Sequence, residues 1–339
     1  MAQLPDVIQV LLDPGIYPEP PEHIELVQTQ MSFVILAGDM VYKVKKPVNL
    51  GYLDYTTLER RLHYCRQEVS LNRRLCPDAY LGVVPITSQA GAIRLDGTGD
   101  IIEYAVKMRR LPADAMLDSL LLQKQVSPEM LSGVAAKLTG FHRSAETGDS
   151  ISAFGGLDAV NQNTEENFVQ TEKYIGTAIS PAQYRRIEDY TGGFMRDKAS
   201  LFQKRVADGR IRDCHGDLHA AHICFHDGIC IYDCIEFNDR FRYCDVAAEV
   251  AFLAMDLDRY RRADLSHHFV DAYVAHSRDE ELVTLLDFYK CYRAYVRGKV
   301  ACFKFDDPYI SPAERDNALA EASGYFALAE SYTGKESAH

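Results

Sequence analysis

The amino-acid sequence predicts an α+β chain of two lobes, a small antiparallel sheet with a helix over residues 1–108 and a larger, mostly helical lobe over residues 109–339. Three observations carry that prediction. β-Rich runs follow one another between residues 24 and 108 with one helical pattern among them, and apolar residues recur at helical spacing from residue 115 onward. Between Asp213 and Asp245 a polar stretch interrupts the helices with two short β-rich runs. With 339 residues, 47% of them hydrophobic, the chain can bury a core large enough for two packed lobes. The formal net charge of -12 argues against a nucleic-acid backbone as partner, because such binding rests on Lys and Arg neutralising phosphates.

Taken in order, residues 4–12 read as a short helix that Pro14-Gly15 stops, followed by the proline-rich connector IYPEPPEH. IELVQTQ, SFVIL and MVYKVKK are consecutive strands, the second turned into the third at Ala37-Gly38-Asp39. Side chains alternate along a strand, so Lys43 and Lys45 share the face of Val41. A helix over residues 57–76 sets Leu58, Leu62, Cys65, Val69 and Cys76 on one apolar arc with Glu68 inside it. A carboxylate there needs a partner, since an isolated buried charge is costly; the strand lysines are candidates, and so is Arg61 on the same arc. VVPIT, AIRL and IIEYAVKM complete the sheet, and MRRLP crosses into the second lobe. Helices are then expected over residues 115–122, 128–143, 157–175, 181–208, 265–276, 281–305 and 312–332, with His142 a cation at the end of its helix.

HICFH and ICIYD meet at Asp227-Gly228, a signal for a two-residue type I′ hairpin. That turn sets His222 opposite Asp233 and brings Asp233 back beside the loop HGDLHAA, which carries Asp217, with paired residues roughly 4.5–5.5 Å apart. Two carboxylates at one mouth repel, and a divalent cation or a proton relieves the repulsion. Magnesium takes one or two carboxylates and leaves its other positions for water and phosphate oxygens, so the pair reads as a phosphoryl-transfer site. A surface hairpin with acidic ends is the plainer alternative.

HGDLH followed by IYD resembles the catalytic and metal-binding segments of the aminoglycoside phosphotransferase-like family, some of whose members are fused to a P-loop ATPase domain. The resemblance implies a bilobal protein-kinase-like fold and transfer of the γ-phosphate of ATP, with Mg2+ or Mn2+, to a hydroxyl of a small molecule. It makes Asp217 the residue that orients or deprotonates the acceptor hydroxyl and Asp233 a metal ligand. His215 would pack under the catalytic loop, and Asp245, also placed to cap the following helix, would hold that loop from below. MVYK matches the nucleotide-binding strand, with Lys43 preferred to Lys45 and positioned by Glu68, and the turn TQMS puts Ser32 over the phosphates. Where the family has a metal-binding Asn this chain has His222. Imidazole is a poorer partner for magnesium than an amide oxygen, which bears on the number of metals, the choice of manganese and catalysis itself. Glu236 either adds a second carboxylate near the metal or braces Arg240 or Arg242. The tail SYTGKES would need Gly where Ala329 stands to make a phosphate loop, so no second ATPase domain is expected.

Two other readings stay beside this one. A nucleotide-binding module without transfer activity, acting through protein contacts, accommodates His222. A zinc site could draw on His215, His219, His222, His226 and Cys224 or Cys230, although the spacing matches no ribbon or finger. Nine dispersed cysteines without a CxxC pair read as reduced thiols of a cytoplasmic protein. The first residues lack a basic region, and no apolar run approaches the roughly 18 residues of a spanning helix, so neither export nor a membrane partner is expected.

Overall fold

The computed structural model describes residues 4–307 and 310–334; the last residues of the SYTGKES tail lie outside them. In chain order the elements are α1 (Asp6–Leu11), β1 (Ile24–Gln28), β2 (Ser32–Ala37), β3 (Met40–Lys45), α2 (Leu58–Asn72), β4 (Tyr80–Gln89), β5 (Ala92–Leu95), β6 (Asp100–Arg109), α3 (Leu117–Leu122), α4 (Pro128–Ser144), α5 (Asp149–Ser152), α6 (Leu157–Thr171), α7 (Pro181–Asp197), α8 (Ala199–Ala207), β7 (Ile211–Asp213), β8 (Ile223–Cys224), β9 (Cys230–Ile231), α9 (Asp239–Arg242), β10 (Tyr243–Asp245), α10 (Val246–Arg259), α11 (Ala263–Ser277), α12 (Leu282–Phe305) and α13 (Pro312–Ser331). The chain forms two compact units. One holds residues 1–119 with 222–239, the other residues 120–221 with 240–339. The sequence draws a single boundary after residue 108; by contacts the hairpin of β8 and β9 belongs with the sheet.

In the first unit six antiparallel strands run in the order β1-β2-β3-β6-β4-β5. Strand alternation gives the sheet two apolar faces. Phe33, Ile35, Tyr42, Val44, Ile86 and Ala105 pack with Ile8 and Leu11 of α1. Val41, Val106 and Met108 of the other face pack with Cys65 and Val69 of α2 and with Cys224 and Cys230 of the hairpin. Thr57 caps α2 by accepting the Arg60 N–H at 3.2 Å.

The expected hairpin register is corrected by one residue. Ile223 pairs with Ile231 and Cys224 with Cys230, leaving residues 225–229 as the loop and setting His222, not quite as expected, against Tyr232, whose N–H bonds the His222 carbonyl at 3.0 Å. Asp227 and Gly228 do take positive φ, 52° and 115°, so the turn falls where the sequence puts it. Contacts from elsewhere in the unit pull the pairing off: Met116 bridges Cys224, and the Phe225 N–H bonds the Ala115 carbonyl at 2.9 Å. Cys230 is joined to Cys76 by a disulfide with Cα atoms 4.7 Å apart, which corrects the reading of all nine cysteines as free thiols and removes Cys230 from the zinc set.

The second unit is helical apart from β7 and β10, a short pair the sequence reading did not anticipate. Helix α10 is buried from Val246 through Leu257. Helices α12 and α13 approach closely at Gly298, where a Cβ would stand 2.9 Å from Phe326. Capping boxes at Ser180 and Ser311 open α7 and α13. The helix expected over residues 181–208 is two, broken at Lys198 (φ -109°, ψ 17°). Among the described residues no helix is long and apolar enough to cross a membrane.

Candidate active site

In the first unit the alternation of β3 delivers Lys43 and Lys45 to the face covered by α2, where the arc of α2 delivers Glu68. Lys43 Nζ lies 2.9 Å from Glu68 Oε1 and 2.8 Å from Asp233 Oδ1, while Lys45 Nζ bonds Glu68 Oε2 at 2.8 Å. One glutamate therefore serves both lysines. Arg61, the alternative partner, is engaged by Glu103 at 2.8 Å. Lys45 is 1% exposed and also bonded to Glu236, whereas the Lys43 side chain keeps 17% exposure and can meet a ligand.

Glu236 braces neither Arg240 nor Arg242. It bonds Lys45 and, at 2.7 Å, the Tyr55 hydroxyl, while Arg240 is held by Glu166 and Arg242 by Asp213. Burial works against charge on Lys43 and Lys45, and the facing carboxylates outweigh it, so both lysines titrate well above the ordinary value. Burial opposes ionisation of Glu68 as well; Lys43 and Lys45 outweigh it and hold its pKa below the ordinary value.

Asp233 sits just past β9 with φ +61°, a left-handed conformation that few non-glycine residues adopt and that clusters at functional sites. The Asp233 N–H bonds the buried Tyr80 hydroxyl at 3.2 Å, and the next N–H, of Cys234, bonds Asn72 Oδ1 at 2.8 Å, so the sheet and α2 fix this turn. The Asp233 side chain is 40% exposed, and His222 Nε2 lies 3.5 Å from its Oδ2. Ser32 is buried as the first residue of β2, just past the turn; its N–H bonds Thr29 Oγ1 at 2.9 Å and its carbonyl takes the Thr29 N–H at 2.9 Å.

The second unit positions Asp217. Glu249 Oε1 accepts the backbone N–H groups of His215 and Gly216, both at 2.7 Å. His215 Nδ1 then accepts the Asp217 N–H at 3.3 Å, and Arg293 Nη1 donates to the Gly216 carbonyl at 3.1 Å. The Asp217 side chain remains 30% exposed, with His219 Nε2 3.6 Å from Oδ2. Asp245 does cap α10 through the Ala247 N–H at 2.8 Å, but its remaining bonds go to Arg205 at 2.9 and 2.6 Å, so the support expected of it falls to Glu249 one turn along the helix. His142, expected as a helix-end cation, is buried in the last turn of α4 with Nε2 2.7 Å from Glu249 Oε2 and Nδ1 2.7 Å from the Tyr273 hydroxyl. Burial opposes ionisation of Glu249, and His142 with the loop N–H groups overcomes it, holding its pKa at about 2. Glu249 lies in the apolar run VAAEVAFL, and the rule that flagged Glu68, a carboxylate inside an apolar helix arc, applies to it equally.

The fold is that of small-molecule kinases. A choline/ethanolamine kinase family protein from Mesorhizobium loti superposes with a TM-score of 0.52 over 96% of this chain and 98% of that one, at 12% identity. An amicoumacin kinase in complex with AMP-PNP, Ca2+ and Ami gives 0.54 over 95% and 92%, at 14% identity, and a Ralstonia eutropha protein assigned as an aminoglycoside phosphotransferase gives 0.53 over 97% of each, at 10% identity. In sequence the chain matches uncharacterised proteins of Mycobacterium tuberculosis and Mycobacterium bovis, 35% identical over 283 residues, which are 83% of this chain and 55% of theirs. The chain thus spans about half the length of these curated relatives. No protein-family profile matches it.

Proposed function

We propose that the chain belongs to the aminoglycoside phosphotransferase-like family and transfers the γ-phosphate of ATP to a hydroxyl of a small molecule. The observation that carries the reading is Lys43, held between Glu68 and Asp233 in a chain with a kinase-like fold. In this reading Lys43 neutralises nucleotide phosphates, Glu68 holds Lys43 in place, and Ser32 follows the turn over the phosphates. Asp217 orients the acceptor hydroxyl and takes its proton.

The donor set fits a divalent cation. Asp233 offers a partly exposed carboxylate on a backbone fixed by Tyr80 and Asn72, and hard oxygens of this kind suit Mg2+. Asp233 would hold the metal with His222 beside it, an imidazole that favours manganese over magnesium. When bound, the metal supplies charge neutralisation at the phosphates.

His222 in the place of an amide also motivates the second reading, a nucleotide-binding module without transfer. One experiment separates the two. ATP binding is measured by thermal shift with Mg2+ or Mn2+, and phosphate transfer is followed across an acceptor panel, for the native chain and for Asp217→Ala. The phosphotransferase reading expects turnover that Asp217→Ala abolishes while ATP binding persists; binding without turnover in the native chain supports the module instead.

A further inference from the structure

We propose that a groove between α2 and β4 docks an extended acidic segment of another protein, one that carries an apolar side chain between two carboxylates. This function is separate from phosphate transfer and does not rest on it.

The groove belongs to the first unit and encloses about 460 Å³. Arg66, Val69 and Ser70 of α2, with Arg73 at its end, line one side; Gly82 and Val83 of β4 line the other. Val69 is buried and Val83 half-buried, so the floor is apolar, whereas Arg66, Ser70 and Arg73 stand exposed along the rim. With 3.6 residues per turn, positions 66, 70 and 73 form one stripe, on the side of α2 turned away from Glu68. Across from them the β4–β6 pairing slips between Tyr80 and Gly82. A Cβ at Gly82 would meet no atom within 4 Å, so the mouth of the groove stays open.

The stripe is cationic in a chain of formal net charge -12. Arg73 donates through Nε to the Tyr80 carbonyl at 2.8 Å and through Nη2 to the Leu81 carbonyl at 2.6 Å. Those neutral acceptors fix the guanidinium at the rim and leave its charge uncancelled. Arg66 has no hydrogen bond or ion pair among the described residues. The acids nearest in sequence are engaged or distant. Asp54 is bonded by Arg60 and Glu103 by Arg61, and Glu59 stands about two turns before Arg66.

Arg66 and Arg73 are separated by about 10 Å along the helix axis, at 1.5 Å per residue, and roughly three residues of extended chain span that distance. A segment with carboxylates at this separation meets both guanidiniums with charge-assisted bonds, and an apolar side chain between them covers Val69 and Val83. A polyphosphate or a nucleic-acid backbone matches the cations but offers nothing to that floor. The negative charge of the rest of the chain does not forbid an acidic partner, because at physiological ionic strength exposed charges are screened beyond about 8 Å and the local cations decide.

The test selects a displayed library of random heptapeptides on the full chain and titrates the enriched peptides, synthesised with a fluorescent label, by anisotropy. Enriched peptides should carry at least two carboxylates flanking an apolar side chain. Arg66→Glu, which removes no bond among the described residues, should weaken them at least about three-fold, and Arg66→Glu/Arg73→Glu at least about ten-fold. Lys124→Glu/Arg143→Glu, an equal change of charge at exposed positions outside the groove, should leave binding as it was. No enrichment, or enrichment of peptides without acids, overturns the proposal. So does binding that Arg66→Glu spares, whatever the paired variant does, and so does an equal loss in the Lys124→Glu/Arg143→Glu chain. Heptaglutamate that binds as tightly as the selected peptides also overturns it, since that marks a general polyanion surface and not a groove for an acidic segment with an apolar anchor.

Discussion

Substituting Glu249 by Gln tests what holds the HGD loop. The amide keeps the shape and one acceptor oxygen for the His215 and Gly216 N–H groups but removes the charge that faces His142. The native carboxyl is held at about 2, down from 4.5. A carboxylate with a depressed folded-state pKa stabilises above its unfolded pKa and loses that contribution as pH falls through the folded value. At about 1.4 kcal/mol per pKa unit the ionised Glu249 contributes about 3 kcal/mol at pH 7, of which about half remains near pH 3. Urea denaturation of the native and Glu249→Gln chains at a series of pH values reads the difference directly. The gap in unfolding free energy should be widest at neutral pH and narrow below pH ~4.5. A gap of constant size across that range, or no gap at pH 7, would refute the claim that the charge of Glu249 holds the loop.

Lys45→Met strands Glu236 and leaves Glu68 to Lys43 alone, and loss of one member of a buried ion pair costs about 3–5 kcal/mol; urea denaturation should show it, and adding Glu236→Gln should recover part. Thiol titration of the chain denatured without reductant should find seven reactive cysteines, the free set, rising to nine after reduction; nine at the outset would contradict the Cys76–Cys230 bond.

What could be read in advance was whatever a local period decides. Alternation on β3 put Lys43 and Lys45 on one face, and the arc of α2 put Glu68 beneath them, because both patterns depend on neighbours a few residues away. Most helix boundaries followed for the same reason. The hairpin register escaped because Met116 and Ala115, more than a hundred residues upstream, compete for the backbone of Cys224 and Phe225. Glu236 escaped because sequence proximity favoured Arg240 and Arg242, while the cation it meets is on β3. Asp245 and Glu249 are both acids at the head of one helix, and the identity of their partners, Arg205 in one case and the His215-Gly216 backbone in the other, depends on which side of α10 each faces. The Cys76–Cys230 bond joins residues 154 positions apart, with no spacing motif to announce it.

The left-handed backbone at Asp233 has a consequence for how this chain can change over time. At φ +61° a branched or bulky side chain is strained, glycine is at ease, and Asp and Asn are the side chains that fit without great cost. The isosteric amide would therefore preserve the turn, the Tyr80 and Asn72 anchors and the surrounding core while surrendering the negative charge that Lys43 now faces. One carboxyl-to-amide exchange thus separates this chain from a descendant of the same fold in which Lys43 faces Glu68 alone.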